Sequence, residues 1–309
     1  MRSMVCLGYA LLFLLGACAP PAAELRLGVS PWPGNAPFIQ AGDESRLGSG
    51  VRVVEFSSET ATLQAFRNRT LEAAILTLDE TLLLAAEGLP LRVAALTDLS
   101  AGAGKIMARP GVRGMNDLRG RRVAVESTAV GAFILAHALR DAGMALADVE
   151  MVALLPHEQA REYAAGRIDA AVGHEPYSSR LEQLGARAIF DTGHAEDDIL
   201  RVLVVHDAGP EIPGERLRAL AGALLAAQAE FPLSDATAAA QAARRYGLSP
   251  AEMVRAWAGL RPLGEQGSRA YFADDAARLR ALLAHIQDEM LAAGIIERPP
   301  ASLAFGVPR

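Results

Sequence analysis

The sequence predicts an α/β protein of two similar lobes followed by a helical C-terminal third. Three observations carry this. Short apolar runs alternate with stretches of helical spacing from residue 24 to about residue 205. A block in the first half recurs in the second at a fixed offset, from Glu72 to Asp169 (169 − 72 = 97). From about Gly214 to Gly294 the chain turns Ala- and Leu-rich at the helical period.

Each element can be justified in order. Leu25-Arg26-Leu27-Gly28-Val29 alternates apolar and polar residues, the pattern of a strand with one buried face. Val51 to Phe56 does so less strictly. Ala73-Ala74-Ile75-Leu76 and Val93-Ala94-Ala95-Leu96 are short continuous apolar runs, as in parallel strands buried on both faces. Between them, Thr60 to Arg67 and Glu80 to Glu87 have helical spacing, the second stopping at Gly88. The order β-α-β-α-β implies a parallel sheet flanked by helices. A second round follows. Arg122 to Val125 is a strand, Val130 to Ala142 a helix stopped by Gly143, and Val149 to Val152 a strand. His157 to Ala165 is a helix stopped by Gly166, Ala170 to Val172 a strand, and Tyr177 to Leu184 a helix stopped by Gly185. The repeat ties the rounds together. Glu72-Ala73-Ala74-Ile75 leading to Gly88 matches Asp169-Ala170-Ala171-Val172 leading to Gly185, which suggests two lobes whose strands end at turns facing a common cleft. Arg201 to Val205 is one more strand. The rest reads as an all-helical segment of packing material, with stops at Pro232, Gly247 to Pro250 and Arg261 to Gly267, and with Ser234 and Ser249 as N-caps.

The N-terminus is a targeting segment. Arg2 is followed by an apolar run from Val5 to Leu15, too short to span a bilayer as a permanent helix. Leu15-Gly16-Ala17-Cys18 resembles the lipobox of bacterial lipoproteins, which implies cleavage after residue 17 and acylation of Cys18. Residues 18–23 read as a short tether. Removing residues 1–17 leaves 309 − 17 = 292 residues, enough for two lobes with a core. The mature charge is 29 basic minus 36 acidic residues, or −7, with no basic cluster to suggest nucleic acid. Cys6 and Cys18 are the only cysteines, so the mature domain holds no disulfide and no thiol chemistry.

Several blocks carry a resemblance. They are Gly28-Val29-Ser30-Pro31-Trp32-Pro33-Gly34-Asn35-Ala36-Pro37, Leu78-Asp79-Glu80, Thr97 to Gly104, Asp117 to Glu126, Gly166 to Ala171, and Glu175-Pro176. In this order and spacing the chain resembles the nitrate/sulfonate/taurine class of periplasmic solute-binding proteins, above all its branch similar to thiamine-pyrimidine precursor binders. The resemblance implies the two-lobed periplasmic binding protein type II fold, with an Ala/Leu-rich helical C-terminal segment here. The lobes would be joined by two crossing strands near Ala101 to Lys105 and Thr192 to Leu200. Lobe one would hold residues 24–100 and 201–309, and lobe two residues 101–200 with both crossings. The chain departs from the family at Arg69 to Glu72, where a glycine and an aspartate are usual, and at Arg201, where the branch often carries an aspartate. The second departure bears on a hinge or ligand contact.

Ligands of open sheets sit outside the carboxyl ends of strands, and the candidate site residues all follow predicted strands. Trp32 offers an aromatic face, with Gly34 and Asn35 beside it. Glu126-Ser127-Thr128 opens a helix, where free N–H groups and the dipole favour an anion, although Glu126 itself would repel one. Asp79, Asp98, Ser100 and Glu175 add carboxylates and a hydroxyl, which suit a ligand with donors or positive charge, such as an aminopyrimidine. Of the histidines only His174, beside Glu175, falls near the cleft. No metal-like spacing and no nucleophile-base-acid set is present in the sequence, so no metal, no cofactor and no catalysis are expected.

The function the resemblance implies is capture of a small polar solute (a pyrimidine precursor, a sulfonate or a related ligand) for a membrane ABC permease. The expected protein works as a monomer on the periplasmic face of a membrane, anchored in the bilayer through Cys18, with no nucleic-acid partner. The alternative is a sensory protein that reports the ligand to a membrane signalling partner, and a remote alternative is a thiamine-pyrimidine biosynthetic enzyme.

Overall fold

The computed structural model describes residues 23–126, 129–194, 199–208, 212–231, 236–273, 276–300 and 302–307. The targeting segment, Cys18, Ser127, Thr128 and the proposed cap Ser234 lie outside the described residues.

Two sheets carry the fold. The chain begins with β1 (Leu25–Val29), α1 (Ala36–Asp43), β2 (Val51–Glu55), α2 (Glu59–Arg67), β3 (Ala73–Thr77), α3 (Leu78–Ala86) and β4 (Leu91–Ser100). It crosses to β5 (Lys105–Ala108), β6 (Arg122–Val125), α4 (Ala129–Asp141), β7 (Glu150–Ala153), α5 (Pro156–Ala164), β8 (Ala170–Gly173), α6 (Tyr177–Gln183) and β9 (Arg187–Asp191). It then returns through β10 (Leu200–His206) to α7 (Gly214–Ala229), α8 (Ala236–Tyr246), α9 (Pro250–Ala258), β11 (Leu260–Pro262), α10 (Gly264–Ala273), α11 (Ala276–Ala292) and β12 (Leu303–Phe305). Among the described residues the first sheet has the order β11-β4-β10-β3-β1-β2, with β12 beside β4, and the second has β7-β6-β8-β5-β9.

Neither sheet is purely parallel, which corrects the expectation from the repeating β-α pattern. β1 runs parallel to β2 and β3, but β10 is antiparallel to both β3 and β4. In the second sheet β6 is parallel to β7 and β8, while β5 is antiparallel to β8 and β9. The cause is the crossing. The chain leaves the first sheet at the carboxyl end of β4 and comes back at that same end, so β10 must run the opposite way, with Leu200 opposite Leu99. β5 enters the second sheet at the carboxyl end of β8, with Lys105 opposite Gly173.

The core follows from side-chain chemistry. β3 is buried along its whole length, as a strand covered on both faces must be. One face of the first sheet packs Leu27, Val29 and Ile75 against Phe38 of α1 and Leu220 and Leu224 of α7. The opposite face packs Leu76, Leu96 and Val202 with Leu82 of α3 and with Ile286 and Met290 of α11. In the second sheet Val123 and Val125 meet Phe133 of α4 on one side, and Ala124 and Ala171 meet Tyr163 of α5 and Leu181 of α6 on the other. Each such Leu, Phe or Ile contributes about 1.5–3 kcal/mol by leaving water.

The C-terminal third is not wholly helical. β11 occupies the predicted stop at Arg261 and pairs with the last residues of β4, and β12 pairs with its first. Ser249 does cap α9, its hydroxyl accepting from the Glu252 N–H.

Candidate ligand-binding cleft

The repeat noticed in the sequence is a structural repeat. In the first sheet Glu72 accepts the Arg26 backbone N–H at 2.8 Å and its guanidinium, stitching the start of β3 to β1. In the second, Asp169 accepts the Arg122 backbone N–H at 3.0 Å and its guanidinium, stitching the start of β8 to β6. The turn before each strand needs a left-handed residue: Arg69 has φ +57° and Gly166, 97 positions on, has φ +74°. This shared anchoring delivers the ends of β3 and β8, Thr77 and Gly173, to opposite walls of one cavity.

That cavity lies between the two sheets. Its cavity volume is about 50 Å³, the size of a site for a small solute. Trp32, Glu59, Asp98 and Arg201 line it from the first sheet's side, and Glu126, Ile134 and His174 from the second.

A buried ion pair dominates the first wall. Arg201 of β10 donates to Glu59 of α2 at 2.6 Å, and both side chains are under a tenth exposed. The guanidinium also lies 5.0 Å from the Trp32 ring centroid. Burial opposes ionisation of Glu59, but Arg201 and His174 beside it bring its pKa below the ordinary carboxylate value. His174 meets the Trp32 ring edge-on at 4.7 Å and stands 3.8 Å from the Glu59 carboxylate. Burial lowers its pKa despite that carboxylate.

Behind this wall lies a group of acids. Asp98 takes hydrogen bonds on one oxygen from Thr97 and from Gln228 of α7. Burial raises its pKa. Asp79 is fully buried and pushed up to about 7, first by burial and further by the Glu59 charge. Burial raises Glu80 well above the ordinary value as well, while its carboxylate accepts the Thr77 N–H at 3.0 Å. Burial thus makes each of these acids harder to ionise than an exposed carboxyl.

Glu126 joins the walls. It follows β6 in one lobe, and its Oε1 accepts the Thr60 backbone N–H and the Thr60 hydroxyl, each at 2.8 Å, on α2 of the other. Burial, with the Glu59 charge, pushes it up to about 7.

The segments crossing between the lobes are fastened to each other. The Ser100 and Thr192 hydroxyls pair at 2.7 Å, and Thr192 also accepts the Gly104 N–H at 3.1 Å. A Cβ on Gly104 would come within 2.9 Å of the Thr192 methyl, so this close approach requires glycine.

The structure thus brings Trp32, Asp98, Ser100 and Glu126 to the cavity wall and leaves three other candidates off it. Asn35 is buried beside the Trp32 loop, its amide donating to the Ser30 carbonyl at 3.0 Å rather than facing the cleft. Asp79 is not the N-cap of α3, which is Thr77; it sits inside the first turn, behind the wall. Glu175 turns to the Ser179 N–H at 3.1 Å and to Lys105 at 3.6 Å. Asp98 and Ser100 belong to β4 itself, which runs to residue 100 rather than ending at Leu96. Sequence reasoning missed Glu59, which reads as an acidic residue behind a Ser58 cap, and it flagged Arg201 only as a departure from the family pattern. It also read the C-terminal third as packing material, yet Leu260 of β11 lines the cavity and packs with Trp32 and Ala103.

Comparisons with known proteins agree with this architecture. The alkanesulfonate-binding protein SsuA of Xanthomonas axonopodis pv. citri, bound to MOPS, superposes with a TM-score of 0.78 at 20% identity, covering 93% of this chain and 100% of that one. The aliphatic sulphonate binding protein SsuA of Escherichia coli gives 0.71 at 18% identity over 90% and 95%. The desulfurization enzyme DSZB gives 0.64 at 18% identity over 90% and 94%. At these identities the likeness is one of fold. No curated protein matches at the level of sequence. The profile of the NMT1-like family matches residues 18–246, well over half the chain. The chain belongs to the NMT1-like family.

Proposed function

We propose that this protein is an extracytoplasmic solute receptor that captures one small polar ligand between its lobes and hands it to an ABC importer. The observation that carries this reading is the cavity itself. It is small, lies at the carboxyl ends of strands from two sheets, and is walled by both lobes across two crossing segments, so closing the lobes buries whatever lies inside. The sulfonate-binding periplasmic relatives support it. The lobes are read as residues 24–100 with 201–309, and 101–200. Trp32, Asp98, Ser100 and Arg201 are the ligand-facing groups of the first, and His174 of the second.

Cys18 carries the lipid anchor in this reading, on the strength of Leu15-Gly16-Ala17-Cys18. The receptor then works as a single copy on the periplasmic face of a membrane. It binds and releases its ligand unchanged. One structural neighbour is an enzyme, but the only cysteines here are Cys6 and Cys18, neither in the cavity-bearing part of the chain, and among the described residues no nucleophile-base pair faces the ligand space.

Native mass spectrometry of freshly purified protein tests the reading, because a site that closes between two lobes retains its solute. The expected result is a retained mass of small-molecule size, lost on denaturation, that also raises the melting temperature when added back. A chain that arrives empty and is stabilised by no member of a panel of sulfonates, amines, amidines and pyrimidines would overturn it.

A further inference from the structure

Helix α4 is bonded at both of its ends to helices of the opposite sheet. It belongs to the second sheet, where Phe133 packs with Val123 and Val125, and it lies against α3 and α11, which cover the first. Its 13 residues reach about 20 Å. Its first turns bring Val130, Gly131 and Ile134 to the cavity wall. Just before it, Glu126 accepts the Thr60 N–H and hydroxyl of α2, each at 2.8 Å. At its far end the Arg140 guanidinium pairs with Glu289 of α11 and donates to the His137 ring at 3.1 Å. His137 stands 3.4 Å from Glu289 and 3.5 Å from Asp141. His285, one turn before Glu289 on α11, stands 3.2 Å from it. The Glu289 side chain is only 10% exposed, so basic groups rather than water answer its charge.

The far contact lies outside the packed interior. Beside it a groove of about 530 Å³ opens between α4 and α11, with Arg140 and Met144 on one side and His285 and Asp288 on the other. At this end charged groups join the two helices across an open seam. The contact also neighbours a crossing segment. The His137 ring centroid is 6.3 Å from that of Phe190 on β9, two residues before the Thr192 that pairs with Ser100.

We propose that Arg140 and Glu289 are positioning residues of the cleft, whose pairing at the far end of α4 holds that helix where Val130, Gly131 and Ile134 wall the ligand space and Glu126 reaches Thr60. The proposal rests on the solute-receptor reading and deepens it, because it names what sets the balance between closed and open lobes. Both end contacts are present in one conformation, the enclosed one. Breaking the far contact removes support from that conformation and shifts the population toward opening.

Residue-resolved amide hydrogen exchange of the ligand-free protein at one pH tests this. The Thr60 N–H lies in the first turn of α2, beyond reach of any helical carbonyl, so the Glu126 carboxylate from the other wall is what shields it. The proteins are the native chain, Arg140→Met, Glu289→Gln, and Arg140→Lys, which keeps the charge. Thr60 is expected to exchange about fivefold faster or more in Arg140→Met and Glu289→Gln. Arg140→Lys stays close to the native rate. The amides of β3, buried along its whole length, keep the native rate in all four and serve as the control. Equal acceleration at β3 and at Thr60 would overturn the proposal, since the pair would then serve only the stability of the fold. Faster exchange confined to α11 and the last turn of α4, with Thr60 unchanged or slowed, would overturn it as well. If Glu289→Gln fails to fold, the two Arg140 variants decide. Such a failure leaves the receptor reading intact, and a protein that retains no solute in native mass spectrometry would sink that reading without altering these rates.

Discussion

At the scale of single residues, Arg201 sets the character of the cleft. A guanidinium buried this deeply is tolerated because Glu59 answers it at 2.6 Å and the Trp32 ring covers it at 5.0 Å. Removing one partner of a buried pair leaves the other charge uncompensated, which costs about 3–5 kcal/mol. Arg201→Ala is therefore expected to lower stability by that amount in urea denaturation, and Arg201→Met with Glu59→Leu to recover most of it. A double variant no better than the single one would show that the loss comes from packing against Trp32 and not from charge. Legibility at this scale was uneven. Trp32, Asp98 and Glu126 were readable because each lies at or near a strand end, where open sheets gather their functional groups. Glu59 was not, since an acidic residue behind a serine is ordinary capping chemistry and only the fold brings Arg201 opposite it. Asn35 and Glu175 had the right neighbourhood but spend their polar atoms on Ser30 and Ser179.

At the scale of elements, the two lobes repeat one device: a turn in the left-handed region, then an acidic residue that clamps the next strand to its neighbour. Arg69 and Gly166 hold the same place in it, at φ +57° and +74°. A side chain in this conformation costs about 1 kcal/mol that glycine avoids. Gly166→Ala should then destabilise by about 1–2 kcal/mol, whereas Arg69→Gly should change stability by less than about 1 kcal/mol, relief of strain being offset by added freedom in the unfolded chain. Equal losses in thermal unfolding for both would mean that the turns are not equivalent. Here the sequence was informative, because a clamp and a turn are local and leave a readable spacing. Strand direction was not local. β5 and β10 run against their neighbours only because the chain crosses twice at the same ends, while β9 is bounded by charged residues and β11 has only three residues, so neither announces itself.

At the scale of the whole molecule, buried acids couple stability to pH. Asp79 and Glu126 both have folded-state values raised to about 7 from ordinary carboxylate values near 4. A carboxyl whose folded value is raised contributes stability that is fully present below its unfolded value and is lost as pH rises through about 7. The buried His174 and His206 act the other way, being lowered from about 6.5 and so costing stability as pH falls below that value. The two effects overlap, so the decisive comparison is with Asp79→Asn, which removes one contribution. That variant should melt closer to the native chain, or above it, on the alkaline side of about 7, and fall behind it near pH 5. An identical pH dependence for the two proteins would show that Asp79 is not protonated in the fold. No stretch of sequence carries this property, since it arises where α2, α3 and β4 converge.

The sequence contains two tryptophans. Trp32 lines the cleft, and Trp257 packs against the same Trp32, Ala103 and Leu260 cluster. Every indole in the chain therefore stands at the junction where the lobes meet, with the His174 ring 4.7 Å from Trp32. The molecule is its own optical reporter: with no label and no engineered chromophore, its tryptophan emission comes entirely from the neighbourhood that opening and closing would rearrange.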